Sequence, residues 1–162
     1  NMLKKIVLAG GCFWGLEDLI RRESGVANTE VGYTGGKVAS PTYDHHAGHA
    51  EAVEIEYDDT KTSYQKLLDF FFRAHNPTTL NQQGNDIGRS YRSAIFFASP
   101  EERAEAEKFI ELVNKSGRWP DPVVTTLEPL TKFWPAEAYH QGYLRKNPGG
   151  YTCHFVRFGS YL

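Results

Sequence analysis

The 162-residue sequence predicts an α+β fold. It reads as a two-layer sandwich with a ferredoxin-like split β-α-β core, helices over one face of a mixed or antiparallel sheet, and an irregular C-terminal tail. Three observations predict it. The first six periodic segments run β-α-β-β-α-β. Glu51–Tyr57 alternates with period two, placing Val53, Ile55 and Tyr57 on one face and Glu54 and Glu56 on the other. Two amphipathic stretches each begin at a capping pattern, so they read as helices with one buried stripe.

Strand one, Leu3–Ala9, is apolar on both faces and belongs at the centre of the sheet. Gly10-Gly11 permits a sharp turn into helix one, about Cys12 to Ser24, which stops at Gly25. Val26–Tyr33 is the second strand, closed by Thr34-Gly35-Gly36, and a polar loop follows through Pro41, Asp44 and Gly48. Glu51 of strand three is in phase with the apolar side, and a carboxylate facing a core needs a reason. Helix two opens at Thr62-Ser63-Tyr64-Gln65 and runs to His75, burying Tyr64, Leu67, Leu68 and Phe71. The long loop Asn76–Arg92 has the length of a functional loop. Ser93–Ala98 is a strand; Ser99-Pro100-Glu101-Glu102 then caps helix three, which continues to Gly117. Val123–Leu127 is the last predicted strand, and a short helix near Ala136–Arg145 interrupts the tail.

The length suits one domain, residues 1–162. A net charge of −2 gives no electrostatic footprint for nucleic acid or an anionic membrane. No apolar run approaches the roughly 20 residues of a membrane span. The start of the chain lacks the pattern of a secretory signal, and Asn1 ahead of Met2 suggests an added residue or the edge of a longer chain. The two cysteines, Cys12 and Cys153, do not make a secreted disulfide framework. They fit a cytoplasmic protein with catalytic or redox thiols.

Cys12 falls where a strand gives way to a helix. There unpaired N–H groups and the helix dipole favour a thiolate. Phe13 and Trp14 beside it supply an apolar wall. A buried structural thiol fits the spacing equally well, and Glu51 reads equally as an acid or as the partner of an arginine.

The blocks Gly11-Cys12-Phe13-Trp14-Gly15, Gly32-Tyr33-Thr34-Gly35-Gly36, Gly48-His49-Ala50-Glu51-Ala52-Val53, Gln83-Gly84-Asn85-Asp86 and Tyr91-Arg92-Ser93 occur in that order. With Tyr139-His140-Gln141 and Lys146-Asn147-Pro148 they span nearly the whole chain, which resembles the A-type methionine sulfoxide reductases. The resemblance implies that Cys12 attacks the sulfur of methionine-(S)-sulfoxide, free or in proteins. It implies Glu51 as the acid, kept protonated by desolvation, Tyr33 and Tyr91 as hydroxyl donors to the sulfoxide oxygen, and Asp86 as an organiser of polar groups. Phe13 and Trp14 would hold the S-methyl group. Cys153 would convert the Cys12 sulfenic acid to a disulfide that thioredoxin reduces, the chain acting as a monomer without cofactor or metal. Gly149-Gly150 gives the tail freedom to bring Cys153 in. Family members carry Gly-Tyr-Cys where this chain reads Gly150-Tyr151-Thr152-Cys153, so the spacing at Tyr151 departs from the pattern. Trp119 and Trp134 read as packing residues.

Two other chemistries compete. A cysteine hydrolase would pair Cys12 with His49, His140 or His154, and would leave Cys153 without a task. A metal-binding loop would use His45, His46 and His49, whose spacing matches no structural zinc pattern.

Overall fold

The computed structural model describes residues 3–162. Its six-stranded sheet contains β1 (Leu3–Gly10), β2 (Val26–Thr34), β3 (Ala50–Asp58), β6 (Ser93–Phe97), β7 (Thr126–Pro129) and β8 (Trp134–Pro135). A separate two-stranded ribbon, β4 (Gln82–Gln83) with β5 (Asp86–Ile87), lies in the long loop. The strand order is β7-β6-β1-β3-β2-β8. Its inner four strands, β6-β1-β3-β2, are antiparallel throughout and form the expected split β-α-β core. β7 extends it in parallel with β6, and β8 adds antiparallel to β2.

The alternation of each strand divides the sheet into two faces. Ile6, Leu8, Val31, Tyr33, Val53, Ile55, Tyr57 and Ile95 point into the main core. They meet the buried stripes of α1 (Phe13–Ile20), α2 (Tyr64–Ala74) and α3 (Pro100–Lys115). Val7, Ala9, Ala50, Ala52, Ala94 and Phe96 occupy the opposite face, covered by Leu130 and Phe133. Small residues there let an irregular segment lie close to the sheet. Glu51 shares the phase of Val53 and Ile55, so the pleat carries its carboxylate to the helix side.

Several element ends differ from expectation. α1 stops at Ile20, four residues before Ser24, and the chain turns through Arg21 to Gly25. α2 is capped by Ser63 rather than Thr62: its Oγ accepts the Lys66 amide at 3.1 Å. α3 has the expected box, Ser99 accepting from the Glu102 amide and Glu102 from the Ala98 amide. The strand expected at Val123–Leu127 is Thr126–Pro129, and β8, paired with β2, replaces part of the expected irregular tail. Gln141 also pairs with β2, its side-chain amide exchanging two 2.8 Å hydrogen bonds with the Val31 backbone. Instead of a helix over Ala136–Arg145, the chain makes a 3-10 turn at Ala138–His140 and α4 at Tyr143–Lys146. No helix among the described residues is long and apolar enough to cross a membrane.

The tail is docked rather than free. The Arg157 amide donates to the Arg73 carbonyl at 2.8 Å, and the Tyr161 amide to Asp69 at 2.7 Å. Trp119 donates to the Tyr161 hydroxyl at 2.9 Å, a packing role as expected. These bonds hold the segment carrying Cys153 along α2.

Candidate active site

Cys12 is the N-cap residue of α1, at the end of the central strand. The amides of Trp14 and Gly15 face its sulfur and favour the thiolate. Burial and negative neighbours outweigh them. Cys12 is 7% exposed; desolvation, then the charge that Glu51 carries once ionised and that of Asp86, push its thiol up to about 12. The helix N-terminus favours the thiolate as expected, but burial opposes it more strongly, and the balance keeps the thiol protonated at neutral pH.

Glu51 is buried and its Oε1 accepts the Phe13 amide at 3.1 Å. Its Oε2 is buried with no hydrogen-bond partner. Desolvation raises the carboxyl to about 8, against the downward pull of the Phe13 bond. Glu51 is thus a neutral acid at pH 7 with an unpartnered oxygen. The alternative of a structural arginine partner fails, because the buried arginine, Arg92, forms a bidentate pair with Glu128 at 2.9 and 3.0 Å.

The tyrosines divide into two groups. Tyr91 and Tyr43 face each other, and both lie in the field of Cys12, Glu51 and Asp86, which with burial raises their hydroxyls. Tyr33 is fully buried and donates its proton to Glu137 Oε1 at 2.8 Å; Glu51 acts on it, and Cys12 is not among the groups that do. The one O–H of Tyr33 is thus held by a carboxylate, whereas Tyr43 and Tyr91 face each other. Glu137 also accepts the Tyr43 amide through Oε2 at 3.0 Å, so Tyr33 and Glu137 hold the Tyr43 loop in place. Sequence reading missed both Tyr43 and Glu137. The available signal was an aromatic residue two positions after Pro41 in an otherwise polar loop.

Phe13 has no exposed surface and packs between Tyr33, at 5.7 Å, and His140, at 5.1 Å. It backs the site instead of lining it. Trp14 is half-buried, stacked on Tyr143 at 3.8 Å, and donates its Nε1–H to His140 Nδ1 at 2.8 Å. Its indole is therefore fixed as an apolar wall beside the thiol.

Cys153 is half-buried and free, as is Cys12. Its Sγ lies 3.7 Å from the Gln83 carbonyl and 4.0 Å from Asp86 Oδ2. Asp86 also accepts the Tyr151 hydroxyl at 3.1 Å, which brings Tyr151 to the site despite the altered spacing. The charge of Asp86 acts on both thiols and raises each. Gly11 and Gly15, on either side of Cys12, make room for the tail. A Cβ on Gly15 would fall 2.3 Å from Thr152 Oγ1 and 2.4 Å from His154 Nδ1.

The histidines form neither a catalytic pair with Cys12 nor a ligand cluster among the described residues. His49 accepts the Gly36 amide through Nδ1 and donates through Nε2 to Val38 O. His46 is held by Thr42 O and Ser90 Oγ and stacks on Tyr33 at 4.8 Å. With His45 they line a cavity of about 650 Å³ that shares only Tyr43 with the site.

Comparison with known proteins is consistent along the chain. The family model described as peptide methionine sulfoxide reductase matches residues 4–160. A peptide methionine sulfoxide reductase MsrA of Nocardia farcinica is 58% identical over 154 residues, covering 95% of this chain and 91% of that protein. Mxr1 of Saccharomyces cerevisiae in its reduced form superposes with a TM-score of 0.90 at 37% identity, over 96% of this chain and 93% of the yeast chain. Mxr1 in complex with Trx2 gives 0.67 at 29% identity, over 96% and 91%.

Proposed function

The chain belongs to the peptide methionine sulfoxide reductase family and is a thiol-dependent methionine sulfoxide reductase; from that premise we propose how its residues act and on which epimer. The substrate is methionine-(S)-sulfoxide, free or within oxidised proteins and peptides. Its S-methyl group lies against Trp14, which Phe13 backs. Its oxygen enters among Glu51 Oε2, Tyr43 and Tyr91. The single observation carrying this reading is Glu51: a buried, proton-bearing carboxyl whose second oxygen has no partner. A sulfoxide oxygen is a strong acceptor that fits such a donor.

Cys12 passes its thiol proton to Glu51 as Glu51 gives its own proton to the sulfoxide oxygen, and the Cys12 sulfur attacks the sulfoxide sulfur. The S–O bond of the substrate breaks and a Cys12 S–O bond forms. Methionine sulfur gains two electrons, Cys12 sulfur loses two, and Cys12 becomes a sulfenic acid. The raised pKa of Cys12 is met within that step, because Glu51 accepts the thiol proton as it gives up its own. Cys153 displaces hydroxide from Cys12 to give a disulfide and water, with Asp86 organising both thiols. Thioredoxin then reduces the disulfide by exchange, a reading supported by the complex of the yeast relative with Trx2. The reading extends to a single catalytic domain, a monomer without a bound cofactor. It extends also to a cytoplasmic site of action, where two free thiols persist.

The test is a thioredoxin-coupled assay with separated sulfoxide epimers. Turnover is expected with the S epimer alone and is lost in Cys12→Ser. Equal turnover of both epimers, or activity in Cys12→Ser, rejects the assignment. The hydrolase reading has no support, since no histidine acts on Cys12.

A further inference from the structure

His154 follows the resolving cysteine and takes no part in the scheme above. It is 7% exposed, although an imidazole in an exposed tail has no need of burial. Its Nε2 lies 2.6 Å from the Gly10 carbonyl, which can only accept, so Nε2 carries the hydrogen. Burial lowers the ring to about 4, leaving it neutral with Nδ1 as a bare acceptor. That nitrogen lies 3.9 Å from Cys153 Sγ. The same ring edge rests on Gly15, whose amide faces the Cys12 sulfur, and Cε1 would lie 3.3 Å from a Cβ at Gly11. Both glycines that flank the Cys12 turn thus lack a side chain where the His154 ring sits. The ring bridges the turn that carries one thiol and the irregular tail that carries the other.

We propose that His154 is the proton acceptor of the resolving step: Nδ1 takes the thiol proton of Cys153 as its sulfur attacks Cys12. The proposal rests on the reading that Cys12 becomes a sulfenic acid resolved by Cys153. In the step, the Cys153 S–H bond and the Cys12 S–O bond break and the S–S bond forms. The proton passes from Cys153 to Nδ1 and then to the departing hydroxide, so the products are a disulfide and one water. No outside oxidant or reductant enters. A base is needed there because burial and Asp86 raise the Cys153 thiol, leaving little spontaneous thiolate at neutral pH. The backbone bond to Gly10 fixes the tautomer in the way an orienting group fixes a catalytic imidazole.

Charged and titratable groups facing the pair are few. Arg157 and His75 act on or are acted on by His154, and Asp86, Tyr151 and Arg157 face Cys153. His75 is lowered to about 3, while Glu51 titrates near 8 beside Cys12. A window from about pH 5 to 7.5 therefore isolates the base, because neither group changes state within it.

The experiment is rapid-quench single turnover on the whole chain with methionine sulfoxide and no external reductant. Methionine release and Cys12–Cys153 disulfide formation are followed separately by mass spectrometry. In the wild type the disulfide rate is expected to be flat across the window. His154→Gln keeps an amide donor for Gly10 but removes the base. The variant is expected to release its burst of methionine and to form the disulfide about 100-fold more slowly, the low end of what losing a general base costs. Its rate should also climb tenfold per pH unit with the thiolate fraction. Slowing without a changed pH slope would mean a structural role and overturn the proposal, as would a wild-type rate. If His154→Gln gives no burst, the wild-type profile decides: a tenfold rise per unit in the native enzyme overturns the proposal, and a flat profile supports it. Absence of a methionine burst in the wild type would instead reject the Cys12 reading itself.

Discussion

Glu51→Gln probes the acid through two independent readouts. Glutamine keeps the acceptor for the Phe13 amide, 3.1 Å away, and places a donor where Oε2 stands. It cannot give up a proton. The reductive step should slow by about 100–10,000-fold, or about 3–5.5 kcal/mol of barrier. With the wild-type carboxyl near 8, the step should hold its rate to about pH 7.5 and fall tenfold per unit above pH 8. The variant should show no such fall. The second readout is stability. An unfolded glutamate ionises near 4.5, whereas the folded one stays protonated to about 8. The raised pKa contributes stability fully present below 4.5 and lost as pH rises toward 8, at about 1.4 kcal/mol per unit. Between pH 4.5 and 7 the wild type should therefore lose about 3 kcal/mol relative to Glu51→Gln, which carries no charge. Urea midpoints for both proteins across that range measure it. Parallel stability curves, together with a wild-type reductive rate in the variant, would refute the buried acid.

The remaining tests follow the same geometry. Tyr43→Phe and Tyr91→Phe should each be milder than the double variant, whose loss should exceed the product of the singles; strict additivity would mean the two hydroxyls serve different atoms. Tyr33→Phe should cost about 1 kcal/mol of stability through Glu137 and leave the reductive rate near wild type, so a large fall in rate would restore Tyr33 to the chemistry. Gly15→Ala would press a methyl group onto Thr152 and His154; disulfide formation should slow with a methionine burst intact, and an unchanged rate would show that the tail need not dock. Cys12, buried and neutral, should alkylate more slowly than Cys153 with iodoacetamide at pH 7 without substrate, and the reverse order would contradict its raised pKa.

Periodicity made the core legible because each inner strand has one face against helices, and a period-two pattern records that directly. It fails at β8 and at Gln141, since two residues carry no period and a side chain standing in for a strand has no pattern at all. Glu51 was visible as a polar residue in an apolar phase. Tyr33 shares that inward phase, and the sequence does not say that Glu137, more than 100 positions away, takes its proton. Tyr43 was hidden for the converse reason. Its loop has no regular phase, and its direction is set by the same Glu137 through the backbone. The helix N-terminus was legible as the place of Cys12 and as a pull toward the thiolate, but the burial that opposes that pull is a property of the assembled site.

The neutral thiol at Cys12 bears on which oxidants this protein can meet safely. Hydrogen peroxide is small enough to reach wherever a methionine side chain can go, and it attacks thiolates. A thiol that burial raises above its ordinary range exposes less anion at neutral pH. Peroxide carries no methyl group for Trp14 and is a poor claimant for the Glu51 proton, so it does not trigger the ionisation that a sulfoxide does. Discrimination then rests on latency: the sulfur stays unreactive until the correct oxygen arrives. An enzyme built this way keeps its nucleophile during an oxidant burst and remains available for repair afterwards. Sulfinic acid at Cys12 should thus accumulate far more slowly under peroxide than at an exposed cysteine of ordinary pKa, a comparison intact-mass measurement can make directly.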